Sequence, residues 1–262
     1  MKRVGYFALQ QALIFGLGAG ALYAIRRLTG RNLHELADAP TLPELGGYVA
    51  VCGSVVALSA WLLRRADPNG PGLGLALDRA RLRDVALGFA LGFAWNALPW
   101  LWVLVGQGGR VTDALWLGDL GPWLPACIGI GIGLANAAFE EITSRAFPMQ
   151  LWRDQRAWFR LALPAACFAL QHLTAGALDP LRLLNLFALG IVFGWAFLVR
   201  GSPWLGIGLH AGYFQAALAP SGRFDSGAWM SLDRGPSYAV FDAATLVLAT
   251  LLFAHGVRRR AD

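Results

Sequence analysis

The chain has 262 residues, of which 56% are apolar and 15% are charged, and its formal net charge is +6. Because soluble domains carry about 25% charged residues, this composition excludes an ordinary soluble enzyme. The basic residues stand in short runs at the ends of apolar segments, which is typical of membrane anchoring and excludes a continuous nucleic-acid-binding face. Cys52, Cys127 and Cys167 each fall inside an apolar run without metal-ligand spacing, so we expect them to be packing residues.

Apolar windows recur along the whole chain and predict a polytopic all-α membrane bundle with about eight transmembrane helices. The predicted spans are 4–25, 47–63, 85–105, 123–139, 159–177, 183–199, 204–219 and 238–257. Lys2 and Arg3 precede the first window as in a signal peptide, but that window is too long for one, so we expect a retained span. Glycines within the spans, as in 129–133 and 206–208, are expected to let helices approach closely.

The basic residues also predict an orientation. Fourteen of them fall on the side of the N-terminus and seven on the opposite side, although the Arg26-Arg27 pair runs against this bias. With an even number of spans, we expect both termini inside, in an integral protein of a bacterial inner membrane. The loops around 26–46, 64–84 and 220–237 are too short for a second domain.

The end of the fourth predicted span carries two adjacent carboxylates, Glu140 and Glu141. A charged side chain inside a bilayer costs about 2.5–3.5 kcal/mol on insertion scales, so two together require partners, water or a function. On a helix, Glu141 and Arg145 are i,i+4 neighbours in the favourable order, which predicts an ion pair. Glu140 has Asn136 one turn before it and no such cation, so we expect it to be the freer carboxylate. The tract 140–160, which mixes Trp and Arg, predicts an amphipathic helix that continues along the membrane interface.

Two histidines lie inside other predicted spans, His172 in the fifth and His210 in the seventh. A lone histidine is more often a core residue, but ionisable groups from three spans of one bundle can converge on one cavity. We expect His255 at the interface, His34 in a polar loop, and Asp242 at a helix start or lining a cavity.

A cavity with these groups suits hydrolysis in two ways, between which the spacings do not decide. Glu140 could act as a general base on water while imidazole N–H groups stabilise the oxyanion. Alternatively, Glu140, His172 and His210 could hold zinc with an open water position, although no H-E-x-x-H helix is present. A third alternative is a proton relay in a transporter, against which the absence of an internal repeat weighs.

Six residues in the predicted spans or directly after them together resemble the motifs of the CPBP family: Glu140, Glu141 and Arg145 (E-E-x-x-x-R), Phe168 and His172 (F-x-x-x-H), and His210. This family of type II CAAX prenyl proteases and bacteriocin-processing proteins is also called the Abi family. The resemblance covers about 123–219, which would be the catalytic core. N-terminal spans in 1–122 precede it, and a loop and the last span follow in 220–262. Phe168 stands one turn before His172, and we expect it to pack rather than to act chemically.

The resemblance implies an intramembrane endopeptidase that cuts a peptide or protein substrate near the surface of the lipid bilayer. It implies that Glu140 is the base that activates water, and that His172 and His210 bind this water and stabilise the oxyanion. Glu141 and Arg145 would be a structural ion pair. No cofactor is implied, and zinc remains the alternative.

One position departs from the family pattern. The family commonly has Asn four residues after the last histidine, where this chain has Phe214, which cannot donate a hydrogen bond. Tyr213 and Gln215, or Asn136 and Asn185 from other spans, are the candidate replacements. The alternative to a protease is therefore a non-catalytic membrane scaffold or bacteriocin-immunity-type protein of the same fold, which would use the cavity for binding.

Overall fold

The computed structural model describes residues 2–29, 42–114, 123–175, 179–218, 230–233 and 239–258. A helix overlaps each of the eight predicted spans. In chain order the elements are α1 (Lys2–Thr29), α2 (Leu42–Ala66), α3 (Arg79–Gly106), β1 (Val111–Ala114), α4 (Trp123–Glu141), a π-turn (Ile142–Ala146), α5 (Phe147–Leu151), α6 (Ala157–Gln171), a 3-10 turn (His172–Ala175), α7 (Pro180–Arg200), α8 (Trp204–Leu218), β2 (Met230–Leu232) and α9 (Ala239–Arg258). The segment boundaries expected near 122 and 219, and most of the loops 26–46 and 220–237, lie outside the described residues.

Three helices among the described residues are long and apolar enough to cross a membrane: Val49–Ala66 within α2, Arg79–Gly106 and Pro180–Arg200. Two shorter apolar helices are Ala157–Gln171 and Val240–His255. These helices and the low charge content identify a mainly helical membrane protein, as the composition predicts. The number of crossings, for which we expect about eight, stays a prediction.

A small antiparallel sheet departs from the all-α expectation. Strand β1 pairs with β2, with Val111 opposite Leu232 and Ala114 opposite Met230. The backbone N–H of Arg110 donates to the Asp233 carboxylate at 3.0 Å and closes one end of the pairing. Strands of three and four residues, more than a hundred residues apart in the chain, are too short to give a recognisable alternating pattern.

Helices α3 and α8 pack with their backbones in direct contact. Gly88 and Gly92 on α3 face Gly208 and Gly212 on α8, and a Cβ added at any of the four would overlap backbone atoms of the opposite helix. This is the small-xxx-small packing by which membrane helices approach closely. The packing role expected for glycine is confirmed at Gly208, whereas Gly131 on α4 faces open space. The contact fixes the part of α8 that carries His210.

Helices α4 and α5, with the π-turn between them, form one continuous helix from Trp123 to Leu151. Residues 141–152 are all buried, so the expectation that this tract lies along the membrane interface is wrong. Arg145 is buried in the core, and the exposed residues of the tract are the turn 153–156 and Trp158. Within that turn Arg153 pairs with Asp67 at 2.8 Å. Glu140 therefore lies well inside a buried helix, about 16 Å from its end at Leu151.

Pro148 follows the π-turn of this helix and removes one α-helical hydrogen bond there. In an α-helical register the N–H of residue 148 would bond to the Ser144 carbonyl, but proline has no N–H and its ring would clash with that carbonyl. The chain instead forms a π-turn in which the Phe147 N–H reaches the Ile142 carbonyl. Such single turns inserted in α-helices are frequent at functional sites.

Candidate active site

Glu141 and Arg145 form the ion pair that the sequence predicts. Arg145 Nη1 lies 3.1 Å from Glu141 Oε1, and the two side chains are 0% and 2% exposed. None of the guanidinium nitrogens makes a well-directed hydrogen bond within the described residues, so the pair depends on electrostatic attraction. The guanidinium also stacks on the Phe168 ring, with Cζ 3.8 Å from the ring centroid, which adds a cation–π contact in a dry environment.

Glu141 has a second partner that the sequence does not indicate. The same oxygen, Oε1, lies 3.0 Å from His210 Nδ1. Because a carboxylate only accepts, this contact places a proton on Nδ1 and leaves Nε2 as the nitrogen directed away from Glu141. Gly206 permits the approach, since a Cβ there would stand 3.0 Å from Glu141 Oε2. Glu141 thus orients His210 as well as neutralising Arg145.

Glu140 is the freer of the two carboxylates, as the sequence predicts. Its side chain is 19% exposed, and its Oε1 accepts a hydrogen bond of 2.8 Å from Asn136 Nδ2. Its other oxygen, Oε2, is buried and has no hydrogen-bond partner among the described residues. That atom lies 3.7 Å from His210 Nε2, which is too long for a hydrogen bond. Glu140 Oε2 is therefore an unused acceptor beside an imidazole.

His172 and His210 flank the same aromatic ring. Phe168 is buried, and its centroid lies 4.6 Å from that of His172 and 6.0 Å from that of His210. His172 Nδ1 donates to the Phe168 carbonyl at 2.9 Å, since a carbonyl can only accept, and this leaves Nε2 as its second nitrogen. Phe168 packs against Arg145 and both imidazoles, in agreement with the packing role expected for it.

The position of the family's Asn is occupied by an apolar side chain at the edge of the site. Phe214 is 40% exposed and its ring edge would stand 3.2 Å from a Cβ at Gly133 on α4. Asn185 donates instead to Asp242 Oδ1 at 2.8 Å, in a contact between α7 and α9. Among the candidate replacements, Asn136 is the one whose amide contacts Glu140.

No group of three or more His, Cys, Asp or Glu side chains within the described part of the chain could hold a metal ion. Glu140, His172 and His210 therefore do not form the three-ligand set of the zinc alternative. His210 Nδ1 is bound to Glu141, and His172 Nδ1 to a backbone carbonyl. In each histidine, Nε2 is therefore the nitrogen that remains for a ligand or a substrate.

Phe193 is the site residue that sequence reasoning missed most clearly. Its ring stacks on His210 with a centroid distance of 4.9 Å and an interplanar angle of 19°, and the Arg145 guanidinium lies 5.6 Å from it. Phe193 stands in an apolar run of α7, where no local pattern distinguishes it from a lipid-facing or core residue. The π-turn was missed too, although Pro148 soon after a charged motif could have indicated it.

The fold and this site together define a helical membrane protein with a buried acid–histidine cluster. Residues 122–214 match the family model described as type II CAAX prenyl endopeptidase Rce1-like. Over this segment, which is about a third of the chain, the match supports the resemblance to the CPBP family of CAAX proteases. At the level of the family, this supports a protease. No curated protein and no solved structure matches the chain.

Proposed function

We propose that the protein is an intramembrane endopeptidase in which Glu140 activates water. The observation that carries this proposal is the division of the carboxylate pair. Glu141 is occupied by Arg145 and His210, whereas Glu140 presents a buried oxygen without a hydrogen-bond partner among the described residues, 3.7 Å from an imidazole nitrogen. A carboxylate in this state is suited to accept a proton from water.

In the proposed reaction, Glu140 Oε2 removes a proton from a water molecule held between it and His210 Nε2. The hydroxide adds to the carbonyl carbon of the scissile bond and forms a tetrahedral oxyanion. Glu140 then gives its proton to the leaving nitrogen as the carbon–nitrogen bond breaks, so one water is consumed and an acid and an amine are released. Asn136, bonded to Oε1, keeps Oε2 as the oxygen that exchanges the proton.

The histidines have different proposed tasks. Glu141 holds His210 through Nδ1, so His210 Nε2 is oriented toward Glu140 and the water. His172 is held through Nδ1 by the Phe168 carbonyl, so its Nε2 is the nitrogen available to the substrate. Because Nδ1 of His172 already donates to a carbonyl, His172 can donate through Nε2 only when both of its nitrogens carry protons, and in that form it would stabilise the oxyanion. Arg145 and Phe168 hold Glu141 and the two imidazoles in position and do not touch the reacting atoms.

The proposed substrate is a peptide or protein segment that reaches the site from the bilayer, which makes the lipid bilayer the second partner. A nucleic-acid partner is not proposed. We propose about eight crossings with both termini inside, in a bacterial inner membrane. The clustering of exposed arginines at the turn 153–156 and at the start of α3 supports this orientation, since cytoplasmic ends are rich in basic residues.

One observation favours a second candidate function. Phe214 replaces the Asn that assists the oxyanion in the family, and an apolar side chain cannot supply that hydrogen bond. A non-catalytic scaffold or immunity-type protein would tolerate this change. Such a protein would keep the Glu141–Arg145 pair for stability and would have no need of Glu140.

The test is cleavage of a quenched fluorescent peptide library by detergent-purified protein. Wild type is compared with Glu140→Gln, with Asp113→Asn as a carboxylate-to-amide control on exposed β1, each with and without a chelator. We expect cleavage by wild type and the control, loss in Glu140→Gln, and no effect of chelator. Equal cleavage by Glu140→Gln overturns the proposal, and loss with chelator moves it to metal chemistry. No cleavage by any form favours the scaffold.

A further inference from the structure

Helix α1 lies outside the segment that matches the family model, yet it carries two adjacent glutamines, the buried Gln10 and the half-buried Gln11, that are hydrogen-bonded to residues next to the site. Gln10 is 1% exposed, and its Nε2 donates to the Thr143 carbonyl in the π-turn at 2.9 Å. The same nitrogen lies 3.4 Å from Ser59 Oγ on α2. Placing a polar side chain within a membrane helix costs free energy, so such side chains usually face the interior of the bundle and have a structural or functional role.

The π-turn explains why Gln10 is needed. Within this turn the Phe147 N–H bonds to the Ile142 carbonyl, so it is not available to Thr143. The next N–H in π-helical register would come from residue 148, which is proline and has none. The Thr143 carbonyl therefore has no helical donor, and Gln10 supplies one from another helix. A buried carbonyl left unsatisfied would be strongly unfavourable.

The amide contact continues to the second histidine segment. Gln11 Nε2 donates to Gln10 Oε1 at 2.7 Å, and Gln171 Nε2 donates to Gln11 Oε1 at 3.1 Å. Ser144 Oγ then donates to Gln171 Oε1 at 3.2 Å. The chain of hydrogen bonds thus begins at Thr143 and returns to Ser144, the next residue of the π-turn. It joins the turn that follows Glu140 and Glu141 to the residue that precedes His172.

We propose that Gln10 is a positioning residue, which through this hydrogen-bond chain fixes the π-turn and the end of α6 so that Glu140 and His172 face the same substrate. The inference rests on the proposed peptidase function for its kinetic consequence only. In this hydrogen-bond chain each glutamine donates through Nε2 and accepts through Oε1. Flipping one amide would break two of these bonds, which favours a single set of rotamers and one arrangement of the connected helices.

The principal test replaces Gln10 by Met, which has a similar length and no amide. We expect hydrogen exchange of the amides in 141–151 to rise about tenfold, because a buried acceptor loses its donor. We expect kcat for peptide cleavage to fall by a similar factor with KM unchanged. The matched control is Leu9→Met, at the neighbouring exposed position, which should change neither quantity.

A second-site rescue separates positioning from simple packing. Pro148→Ala restores an N–H at residue 148 and allows the helix to satisfy its own carbonyls. We expect Gln10→Met to raise exchange and lower kcat much less in the Pro148→Ala background than in wild type. Equal effects in both backgrounds, or unchanged exchange in Gln10→Met, overturn the inference. If wild type cleaves no peptide, the peptidase proposal fails, but the exchange experiment still decides the role of Gln10.

Discussion

Replacing Glu141 by Ala should destabilise the protein far more than replacing its neighbour Glu140. The change removes the ion-pair partner of Arg145, whose side chain is 0% exposed, and the acceptor of His210 Nδ1. Breaking a buried ion pair by removing one partner costs about 3–5 kcal/mol, because the remaining charge stays buried without compensation. At about 2–4 °C per kcal/mol for a chain of this size, the melting temperature should fall by about 6–20 °C.

Glu140→Ala is the matched control, because the two residues are adjacent and chemically identical. It removes one hydrogen bond, from Asn136, and should cost about 0.5–1.5 kcal/mol. The assay is thermal unfolding of the detergent-solubilised protein, followed by the fluorescence of its tryptophans. Arg145→Ala should resemble Glu141→Ala. Equal melting temperatures for the three variants would refute the structural role of the ion pair.

The remaining predictions concern the helix contact and the departure from the family motif. Gly92→Ala should destabilise the protein by about 1–3 kcal/mol through overpacking, since its Cβ would overlap the Leu209 carbonyl on α8. Gly53→Ala, in open space on α2, should be neutral or slightly stabilising in the same unfolding assay, and a similar loss in both would contradict the contact. Phe214→Asn should raise kcat for peptide cleavage by up to about 10²–10³-fold, because it restores a hydrogen-bond donor to the oxyanion, whereas Phe214→Leu should leave kcat unchanged. An unchanged kcat in Phe214→Asn would contradict this role of the position.

The local part of the site could be predicted from the sequence. The ion pair of Glu141 with Arg145, and the contact of Asn136 with Glu140, follow from i,i+4 spacing on one helix, which needs no tertiary information. The ionisable residues in three predicted spans also predict that this segment lies near His172 and His210, because spans of one bundle can share a cavity.

Long-range contacts could not be predicted in the same way. The bond from Glu141 to His210 and the bond from Gln10 to Thr143 join residues far apart in the chain, and glutamine in an apolar run gives no indication of its partner. The tract 140–160 was misjudged for a related reason. A buried helix followed by an exposed basic turn has the same mixture of Trp and Arg as a helix that lies on the interface.

The central claim is that Glu140 activates a water molecule that cleaves the peptide. The most direct measurement is a single turnover of a cleavable peptide in heavy-oxygen water, with the product analysed by mass spectrometry. We expect one solvent oxygen in the new carboxylate with wild type and no product with Glu140→Gln. A first-turnover product without solvent oxygen would show that a protein group attacks the peptide, and product from Glu140→Gln at the wild-type rate would remove Glu140 from the chemistry.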